Sequence, residues 1–441
     1  MPSESSGSRN PEGNPIWGFP DSPAAPALEG NVCADVAIVG GGFAGLSCAR
    51  YLKQAEPSWD IVLLDRERIG SGASGRNAGF LSPFLPLSWL IDCSRNPSRL
   101  EDIRFAAHFI AGEIREFLEL VRREQIACDL HPLAMLIAGT GHFHRRLLRL
   151  IGERVFLTGL PARPATASEL EAAFIPSAGA GYVLQGHALQ PLALAEGLKL
   201  HVRKLGVRVF ENSRVARIVP DKAGSCIVTG SGARLVARKA ILATNAYTGQ
   251  IELDSRPAIP RPTFTYLLAT EPLSGRALES LPSPGQAVAA IGGEYFYARS
   301  YQNRLLFGGI DLPAASSEPD ARRDEGAFGR LQLGMIRRFP SLAGCAVDGL
   351  WGGPYHETRA GVPLIRPLPG MPGVILNIGY GGVGVTLTQF SGRLAARLIL
   401  GDRRRDRDAD RMIALYQTTR IPIREGLKLG LRLLGSSLTF R

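Results

Sequence analysis

Three features that mark specialised classes of protein are missing from this sequence. Its six cysteines form no C-x-x-C pair, so neither a disulfide framework nor a cysteine-based zinc site is expected. No apolar run approaches the roughly 18–20 residues that a membrane-spanning helix needs. The opening segment, MPSESSGSRNPEG, lacks the basic start and apolar stretch of a secretory signal. We therefore expect a cytoplasmic protein with reduced cysteines and no transmembrane segment.

Acidic residues are also in deficit, since 40 Asp and Glu against 51 Lys and Arg give a formal net charge of +11. A basic chain invites a nucleic-acid partner. The arginines are nevertheless spread along the sequence, and between Asp402 and Asp410 they alternate with aspartates. Opposite charges at this spacing largely cancel each other's field. We expect no nucleic-acid partner.

Candidate metal ligands are equally sparse. His142 and His144 flank Phe143 at the start of a basic helical pattern near Gly141, without a carboxylate or cysteine close by. A zinc site needs three or four ligands. We interpret the two histidines as surface residues and expect no metal.

The most informative stretch that is present runs from Asp35 to Asp65. An apolar run leads into G-x-G-x-x-G at Gly40, Gly42 and Gly45, a helical pattern follows, and a second apolar run ends in the acid. Such glycines allow a tight turn, close backbone approach to a pyrophosphate and close helix packing, and the acid accepts a hydrogen bond from a ribose hydroxyl. Phosphate would bind at the helix N-terminus. The stretch predicts a dinucleotide-binding unit of strand, helix and strand.

Periodicity indicates how the rest of the 441-residue chain is organised, and its length favours two domains. Helical patterns cover Asn96 to about Leu120 and Pro191 to Gly206, and strand-like runs cover Leu133 to Ala138 and Val374 to Ile378. Short alternating strands that end in Ala240 to Ala243 predict a three-stranded meander inserted into a parallel sheet.

Two later segments are rich in glycine. GASGRNAGF, from Gly72 to Phe80, combines backbone donors with Arg76 and Asn77, which suits a second approach to a pyrophosphate or flavin ring. The loop that begins at Gly379 leads into an amphipathic helix, whose N-terminus is a second positive end of a helix dipole.

An aromatic strand supplies candidates for substrate contact. Tyr295, Tyr297 and Arg299 alternate with Phe296 and Ala298, so one face of the strand carries the tyrosines and the arginine. Packing within a sheet would explain the aromatic residues as well, and Arg299 fits that explanation less easily.

The order and spacing of these segments resemble a known family. They comprise DVAIVGGGFAGLSCARYL, GASGRNAGF, ILATNAYT from Ile241, RLLFGG from Arg304, WGG from Trp351 and the glycine loop from Gly379. Together they resemble the FAD-dependent amine and amino-acid oxidoreductases of the D-amino-acid oxidase type. Within that family the chain is most similar to the γ-glutamylputrescine oxidoreductase and glycine/sarcosine oxidase branches, from roughly Ala34 to Ile399.

The resemblance implies an α/β plus α+β fold, with a discontinuous Rossmann-like FAD-binding domain joined to an antiparallel-sheet substrate domain. It implies that residues 31–85, 186–256 and 350–413 form the FAD-binding domain, and that residues 86–185 and 257–349 form the substrate domain. Residues 1–30 would be an extended lead-in, and residues 414–441 an amphipathic C-terminal tail.

The resemblance also implies which residues contact FAD. They are Gly40, Gly42, Phe43 and Ala44 at the pyrophosphate; Asp65, Arg66 and Val215 at the adenosine half; Gly72, Ala73, Ser74, Arg76, Asn77, Ala78 and Gly79 along the flavin; Ala243, Thr244 and Asn245 closing that side; and Gly381, Gly382, Val383, Gly384, Val385 and Thr386 at the pyrimidine edge. Amide donors at that edge favour the reduced flavin.

The implied activity is oxidation of a C–N bond in a small amine or amino acid, by hydride transfer to flavin N5. The product would be an imine that hydrolyses, and the electron acceptor would be oxygen or another, unknown acceptor. Candidate catalytic residues are Tyr297, Arg299, Tyr355 and His356. Among them, Arg299 would hold a substrate carboxylate and Tyr297 would hydrogen-bond it.

Two departures from the family pattern bear on the chemistry. Relatives often have Gly-His-Gly in the C-terminal loop, whereas this chain has Gly382-Val383-Gly384, so the imidazole is missing. The cysteine that attaches flavin covalently in some relatives is also missing, so the resemblance implies noncovalent FAD. A flavin-binding assembly protein without turnover is the alternative function. A flavin monooxygenase would need a second nucleotide loop, and a plain nicotinamide dehydrogenase would not need the later flavin-like segments.

Overall fold

The computed structural model describes most of the chain. The described residues are 13–19, 22–139, 141–173, 179–254, 259, 262–291, 295–314 and 324–419. Residues 1–12, 20 and 21 of the predicted lead-in lie outside the described residues, and so does the predicted tail from residue 420 onward. In the part that is described, no helix is both long enough and apolar enough to cross a membrane.

The secondary structure confirms the periodicities in the sequence. The strands are β1 (Asn31–Val39), β2 (Ile61–Leu64), β3 (Phe80–Leu81), β4 (His131–Gly139), β5 (Ala162–Pro164), β6 (Ala180–Ala188), β7 (Arg208–Phe210), β8 (Val215–Asp221), β9 (Gly224–Thr229), β10 (Arg234–Leu242), β11 (Glu252–Leu253), β12 (Pro262–Thr270), β13 (Gln286–Ile291), β14 (Phe296–Tyr301), β15 (Arg304–Pro313), β16 (Val347–His356), β17 (Leu364–Leu368) and β18 (Met371–Ile378). The helices are α1 (Phe43–Ala55), α2 (Ala73–Arg76), α3 (Leu87–Arg95), α4 (Leu100–Arg123), α5 (Gly141–Leu157), α6 (Ala167–Ala172), α7 (Pro191–Lys204), α8 (Gly275–Glu279), α9 (Glu325–Arg338), α10 (Gly384–Leu400) and α11 (Arg407–Thr418). The predicted helices correspond to α4 and α7, and the predicted strands to β4 and β18.

Local sequence signals explain where helices begin and end. In α7, the side chain of Gln190 accepts a hydrogen bond from the backbone N–H of Ala193, and Pro191 occupies the first turn, where no N–H is needed. Gly206 follows the helix at φ +87°, a conformation that glycine adopts without strain.

The first sheet contains the predicted dinucleotide-binding unit. Its strand order is β11-β8-β9-β10-β1-β2-β7, with β18 beside β10 and β17 beside β18. Strands β2, β1, β10 and β18 run parallel, and β8, β9 and β10 form the predicted meander. All four residues of β2 are buried, as expected for a parallel strand covered on both faces.

The second sheet contains most of the remaining strands. Its order is β16-β12-β15-β14-β13-β4-β6-β3. Most pairs are antiparallel, but β13 and β4 run parallel, so the predicted antiparallel sheet is mixed. Backbone pairing also assigns Phe80–Leu81 and the whole of Val347–His356 to this sheet, although the proposed domain limits divide β16 and leave β3 with the FAD-binding domain.

Helices α1 and α10 make a close backbone contact, which fixes the position of each helix relative to the other. A Cβ atom on Gly392 of α10 would lie 2.2 Å from the backbone carbon of Ser47 in α1. The Ser47 hydroxyl donates to the Gln389 carbonyl oxygen at 2.9 Å and accepts from the Gly392 N–H at 3.3 Å. The two backbones can approach this closely only because position 392 has no side chain.

We predict that Gly392→Ala lowers the thermal unfolding midpoint and weakens cofactor binding, because the added methyl forces α1 and α10 apart. Overpacking of this kind costs about 1–3 kcal/mol. Gly329→Ala is the matched control, since Gly329 also lies within a helix but has no atom within 4 Å of its added Cβ. That change removes backbone entropy of the unfolded chain and leaves the unfolding midpoint equal or higher. Equal behaviour of the two variants in a thermal melt would contradict the packing argument.

Candidate functional site

A cavity of about 2100 Å³ opens between the two sheets. On one side it is lined by residues that follow the carboxyl ends of β1, β2, β10 and β18. Ligands of open parallel sheets bind at these ends, because the loops there converge and the following helices direct their N–H groups at the same place. The volume exceeds the roughly 300–1000 Å³ of ordinary small-molecule sites, so it suits a large ligand together with a smaller one.

The turn after β1 presents a helix N-terminus to this cavity. Gly40 has φ +106°, and a Cβ there would lie 2.6 Å from the Ala243 carbonyl oxygen, so the tight turn requires glycine. Helix α1 has no side-chain cap at Gly42. The Phe43 N–H donates instead to the Ser74 hydroxyl at 2.9 Å, and that hydroxyl keeps its own proton free to donate to an anion at the cavity.

Asp65 lies at the end of β2, as its position in the sequence predicts. One carboxylate oxygen accepts from the Gly41 N–H at 2.7 Å, and the other accepts from the Glu67 N–H at 3.0 Å. Each oxygen has a second lone pair for a ligand hydroxyl. Burial raises the pKa of Asp65 to about 7, with the two N–H donors opposing the rise and Glu67 and Glu211 adding to it.

The segment around Arg76 and Asn77 forms the floor of the cavity. The Arg76 guanidinium donates to the Ser71 carbonyl at 2.9 Å and to the Gly352 carbonyl at 3.1 Å. The Asn77 amide oxygen accepts from the Gly79 N–H at 2.8 Å. Both side chains line the cavity while holding the loop's backbone in place.

The C-terminal glycine loop presents a second helix N-terminus. Gly379, Gly381 and Gly382 all have positive φ, and α10 then begins at Gly384 without a side-chain cap. Its first N–H groups therefore lie at the cavity wall that Gly381 to Val385 form. Two long helices with uncapped N-termini around one cavity fit a ligand with anionic phosphate and an electron-accepting ring edge.

One predicted cofactor residue does not reach the cavity. Thr386 is fully buried, and its hydroxyl accepts from the Ser82 N–H at 3.0 Å and donates to the Ser82 carbonyl at 2.8 Å. Because the first turn of α10 rotates this side chain toward β3, it anchors the helix instead. The other predicted FAD contacts line the cavity: Gly40, Gly42, Phe43, Ala44, Asp65, Arg66, Gly72, Ala73, Ser74, Arg76, Asn77, Ala78, Gly79, Val215, Ala243, Thr244, Asn245, Gly381, Gly382, Val383, Gly384 and Val385.

The predicted substrate contacts separate into two groups. Tyr297, Tyr355 and His356 line the cavity. The Tyr297 ring lies against Gly308 of β15. A Cβ atom at position 308 would lie 2.2 Å from the ring, so only glycine leaves room for it. Burial lowers the pKa of His356 to about 4, so its imidazole is neutral at neutral pH.

Arg299 is a correction to the predicted substrate site. It is 1% exposed and does not line the cavity. Its guanidinium donates to the Ala78 carbonyl at 2.6 Å and the Leu189 carbonyl at 3.0 Å, with the Trp17 and Tyr301 rings beside it. The residue faces the predicted side of the strand but lies beneath the floor loop, so it supports Ala78 and is not available to hold a substrate carboxylate.

The structure adds cavity residues that the sequence alone did not indicate. Asp311, Glu357 and Thr265 line the cavity together with Tyr295, Tyr297 and Tyr355. Burial raises the pKa of Asp311, while hydroxyl donors Thr265 and Tyr355 oppose the rise. Burial and the negative charge of Asp311 raise the pKa of Glu357. In the sequence, Asp311 lies two residues beyond the Gly308-Gly309 pair, and this position alone is a weak indication of a functional residue. The regular alternation of a strand does not single it out either.

The chain matches the model of the FAD dependent oxidoreductase (DAO) family over residues 35–398. It is 32% identical over 388 residues to gamma-glutamylputrescine oxidoreductase of Escherichia coli (strain K12), covering 86% of each chain. It is 26% identical to glycine oxidase of Geobacillus kaustophilus (strain HTA426), covering 83% of this chain and 92% of that protein.

Solved structures agree on the fold. The crystal structure of glycine oxidase from Geobacillus kaustophilus superposes with a TM-score of 0.66 at 23% identity, covering 85% of this chain and 96% of that one. L-proline dehydrogenase from P. horikoshii superposes with a TM-score of 0.68 at 15% identity, covering 84% and 94%. The match to the family model agrees with the geometry of the site, which combines the glycine turn, the acid after β2 and two helix N-termini without side-chain caps. The chain belongs to the FAD dependent oxidoreductase (DAO) family.

Proposed function

We propose that this FAD-dependent oxidoreductase oxidises a C–N bond in a small amine or amino acid, giving an imine that hydrolyses. The observation that carries the proposal is a polar wall of tyrosines, threonine and carboxylates on the second sheet, which faces the FAD-lining loops across one cavity. Two relatives, gamma-glutamylputrescine oxidoreductase and glycine oxidase, are named for nitrogen-bearing compounds, which supports a nitrogen-bearing substrate here.

FAD, when bound, supplies an electron-accepting ring that takes a hydride equivalent from the substrate carbon. The chain's own residues would hold it. The N-terminus of α1 and the Ser74 hydroxyl would hold the pyrophosphate, Asp65 would accept from a ribose hydroxyl, and the N-terminus of α10 would donate to the ring edge.

The second sheet would bind and orient the substrate. Burial raises the pKa of Tyr297 and of Tyr355, so both phenols stay protonated at the cavity. Each hydroxyl oxygen would accept a hydrogen bond from a polar substrate group. An ammonium cannot release hydride, so the reacting nitrogen must lose a proton first. An enclosed cavity favours this loss, since desolvation lowers the pKa of an amine.

As hydride leaves the carbon, the nitrogen lone pair would form a second bond to it, so the C–N single bond would become the C=N bond of an imine. Water would then add to the imine carbon, and the C–N bond would break as the nitrogen leaves. Positioning of the C–H bond supplies much of such an acceleration. No side-chain base is therefore required at the reacting carbon.

Anaerobic mixing with amines and amino acids tests the proposed activity. We expect the purified yellow protein to lose its visible flavin absorbance with at least one member of the panel, and to regain it in air if oxygen is the acceptor. Tyr355→Phe is expected to slow the reduction by about tenfold, since one hydrogen bond in a buried site contributes about 1.5 kcal/mol. A panel of amines and amino acids that leaves the flavin oxidised would contradict the proposal and favour a flavin-binding assembly protein.

Noncovalent attachment of FAD is a second prediction. Within the described part of the chain no cysteine lines the cavity, so no thiol is in reach of the ring. We expect acid precipitation to release all of the flavin into the supernatant. Colour that stays with the washed protein pellet would contradict this prediction.

Binding of FAD to the apoprotein is expected to depend on pH through Asp65. Its pKa of about 7 is raised, so the ionised form that best accepts from a ribose hydroxyl is present above that pH and is lost as the pH falls through it. Affinity should rise with pH by at most about tenfold per unit in this window. Asp65→Asn should bind FAD more weakly and without this dependence, and an unchanged pH profile in a fluorescence titration would contradict the assignment.

A further inference from the structure

The wall that the second sheet forms brings two acidic side chains, Asp311 and Glu357, to the cavity. The hydroxyls of Thr265 and Tyr355 favour the ionised form of Asp311 and lower its pKa, and the charge of Asp311 raises the pKa of Glu357. Arg330, Arg337, Arg338 and Arg359 also line the cavity, and none of these described arginines is among the groups that shift the pKa of Asp311. A carboxylate enclosed in protein attracts a cation, because water no longer screens it.

Asp311 faces the cavity because of a bulge in β15. Gly309 has φ +158° and Ile310 has φ +59°, and pairing with β12 shifts register opposite Thr265. The extra residue turns Ile310 toward the apolar cluster that includes Phe264 and Phe307. Without the bulge, strict alternation would place Asp311 in that cluster.

The bulge places Ile310 in a strained backbone conformation. A β-branched residue in the left-handed region is unusual and unfavourable. Packing of Ile310 against apolar neighbours compensates part of this cost. The bulge specifically changes the side of the sheet on which the acid lies.

Aromatic rings complete the surroundings of this acid. The Tyr295 and Tyr297 rings lie 6.0 Å apart and tilt by 58°, and both belong to the cavity wall. Negative ring faces attract ammonium groups, and a carboxylate beside them adds to the attraction. A substrate carboxylate at the same place would be repelled by both Asp311 and Glu357.

We propose that Asp311, with the rings of Tyr295 and Tyr297, recognises an ammonium group of the substrate that does not react. This inference rests on the proposed amine oxidation for the identity of the ligand. A carboxylate stabilises the charged form of an amine, so it opposes the proton loss that the reacting nitrogen requires and suits a nitrogen that stays charged. The favoured substrate class is an amine with a second cationic group, and the disfavoured class is a zwitterionic amino acid with its carboxylate at this wall.

Three ligands that share a tert-butyl group test the recognition directly. They are tert-butylammonium, tert-butanol and pivalate, and the ammonium has no C–H bond on the carbon that bears nitrogen, so it cannot be oxidised. Calorimetric titration of the holoenzyme should give the highest affinity for tert-butylammonium and the lowest for pivalate. Equal or tighter binding of pivalate would overturn the proposal.

Substitution separates the charge of Asp311 from the shape of the wall. Asp311→Asn should weaken tert-butylammonium by about 10- to 100-fold, the range expected for a charged hydrogen bond, and leave tert-butanol unchanged. Asp348→Asn is the matched control, since Asp348 pairs with Arg304 at 2.5 Å and does not line the cavity. Retained flavin absorbance and thermal midpoint establish that each variant is folded, and unchanged ammonium affinity in folded Asp311→Asn would overturn the proposal.

Turnover distinguishes this inference from the proposed function. A linear diamine should have a lower KM than the monoamine of equal length, and Asp311→Asn should raise the diamine KM toward the monoamine value with less effect on kcat. Reduction of the flavin by monoamine and diamine with equal KM would overturn the inference and leave amine oxidation intact. Ammonium binding that depends on Asp311, without flavin reduction by any amine, would support the inference and contradict amine oxidation.

Discussion

The backbone contact between α1 and α10 is the constraint on which the cofactor site depends. Gly392 allows α10 to lie against Ser47, and reciprocal hydrogen bonds fix the two helices at this point. The consequence appears at their N-termini, where both helices leave N–H groups without a side-chain cap at one cavity. A helix N-terminus attracts negative charge only over its first turn, so the distance between the helices decides whether both ends serve one ligand.

The opposite wall of the cavity, which the second sheet forms, is built differently. Its strands are held by ordinary pairing, and a bulge at Ile310 interrupts the alternation so that Asp311 joins the tyrosines at the cavity. The cofactor side of the cavity offers hydrogen-bond donors, whereas this side offers carboxylates and aromatic faces. Ligands that occupy both walls would therefore be anionic on the cofactor side and cationic on the other, as FAD and an amine together would be under our proposal.

Sequence reasoning succeeded where backbone geometry dictates residue type. Gly40 at φ +106° and the acid at the end of β2 are required by the turn and by its N–H donors, so their spacing is informative. It failed where the outcome depends on depth or on a single inserted residue. Alternation correctly put Arg299 on the face of Tyr297 but could not show that the floor loop covers it, and it assigned no role to Asp311 because bulges leave no periodic signal. The rotation that turns the Thr386 side chain toward Ser82 could not be predicted from the sequence either.

The most direct test of the account is single-turnover reduction of the bound flavin by an amine that carries deuterium on the carbon next to nitrogen. Oxidation of a C–N bond breaks that C–H bond, so we expect rapid-mixing absorbance to show slower reduction with the deuterated amine than with the protiated one. Deuterium at the next carbon along should leave the rate unchanged. Equal reduction rates for the deuterated and the protiated amine at saturating concentration, or no reduction at all, would contradict oxidation of a C–N bond.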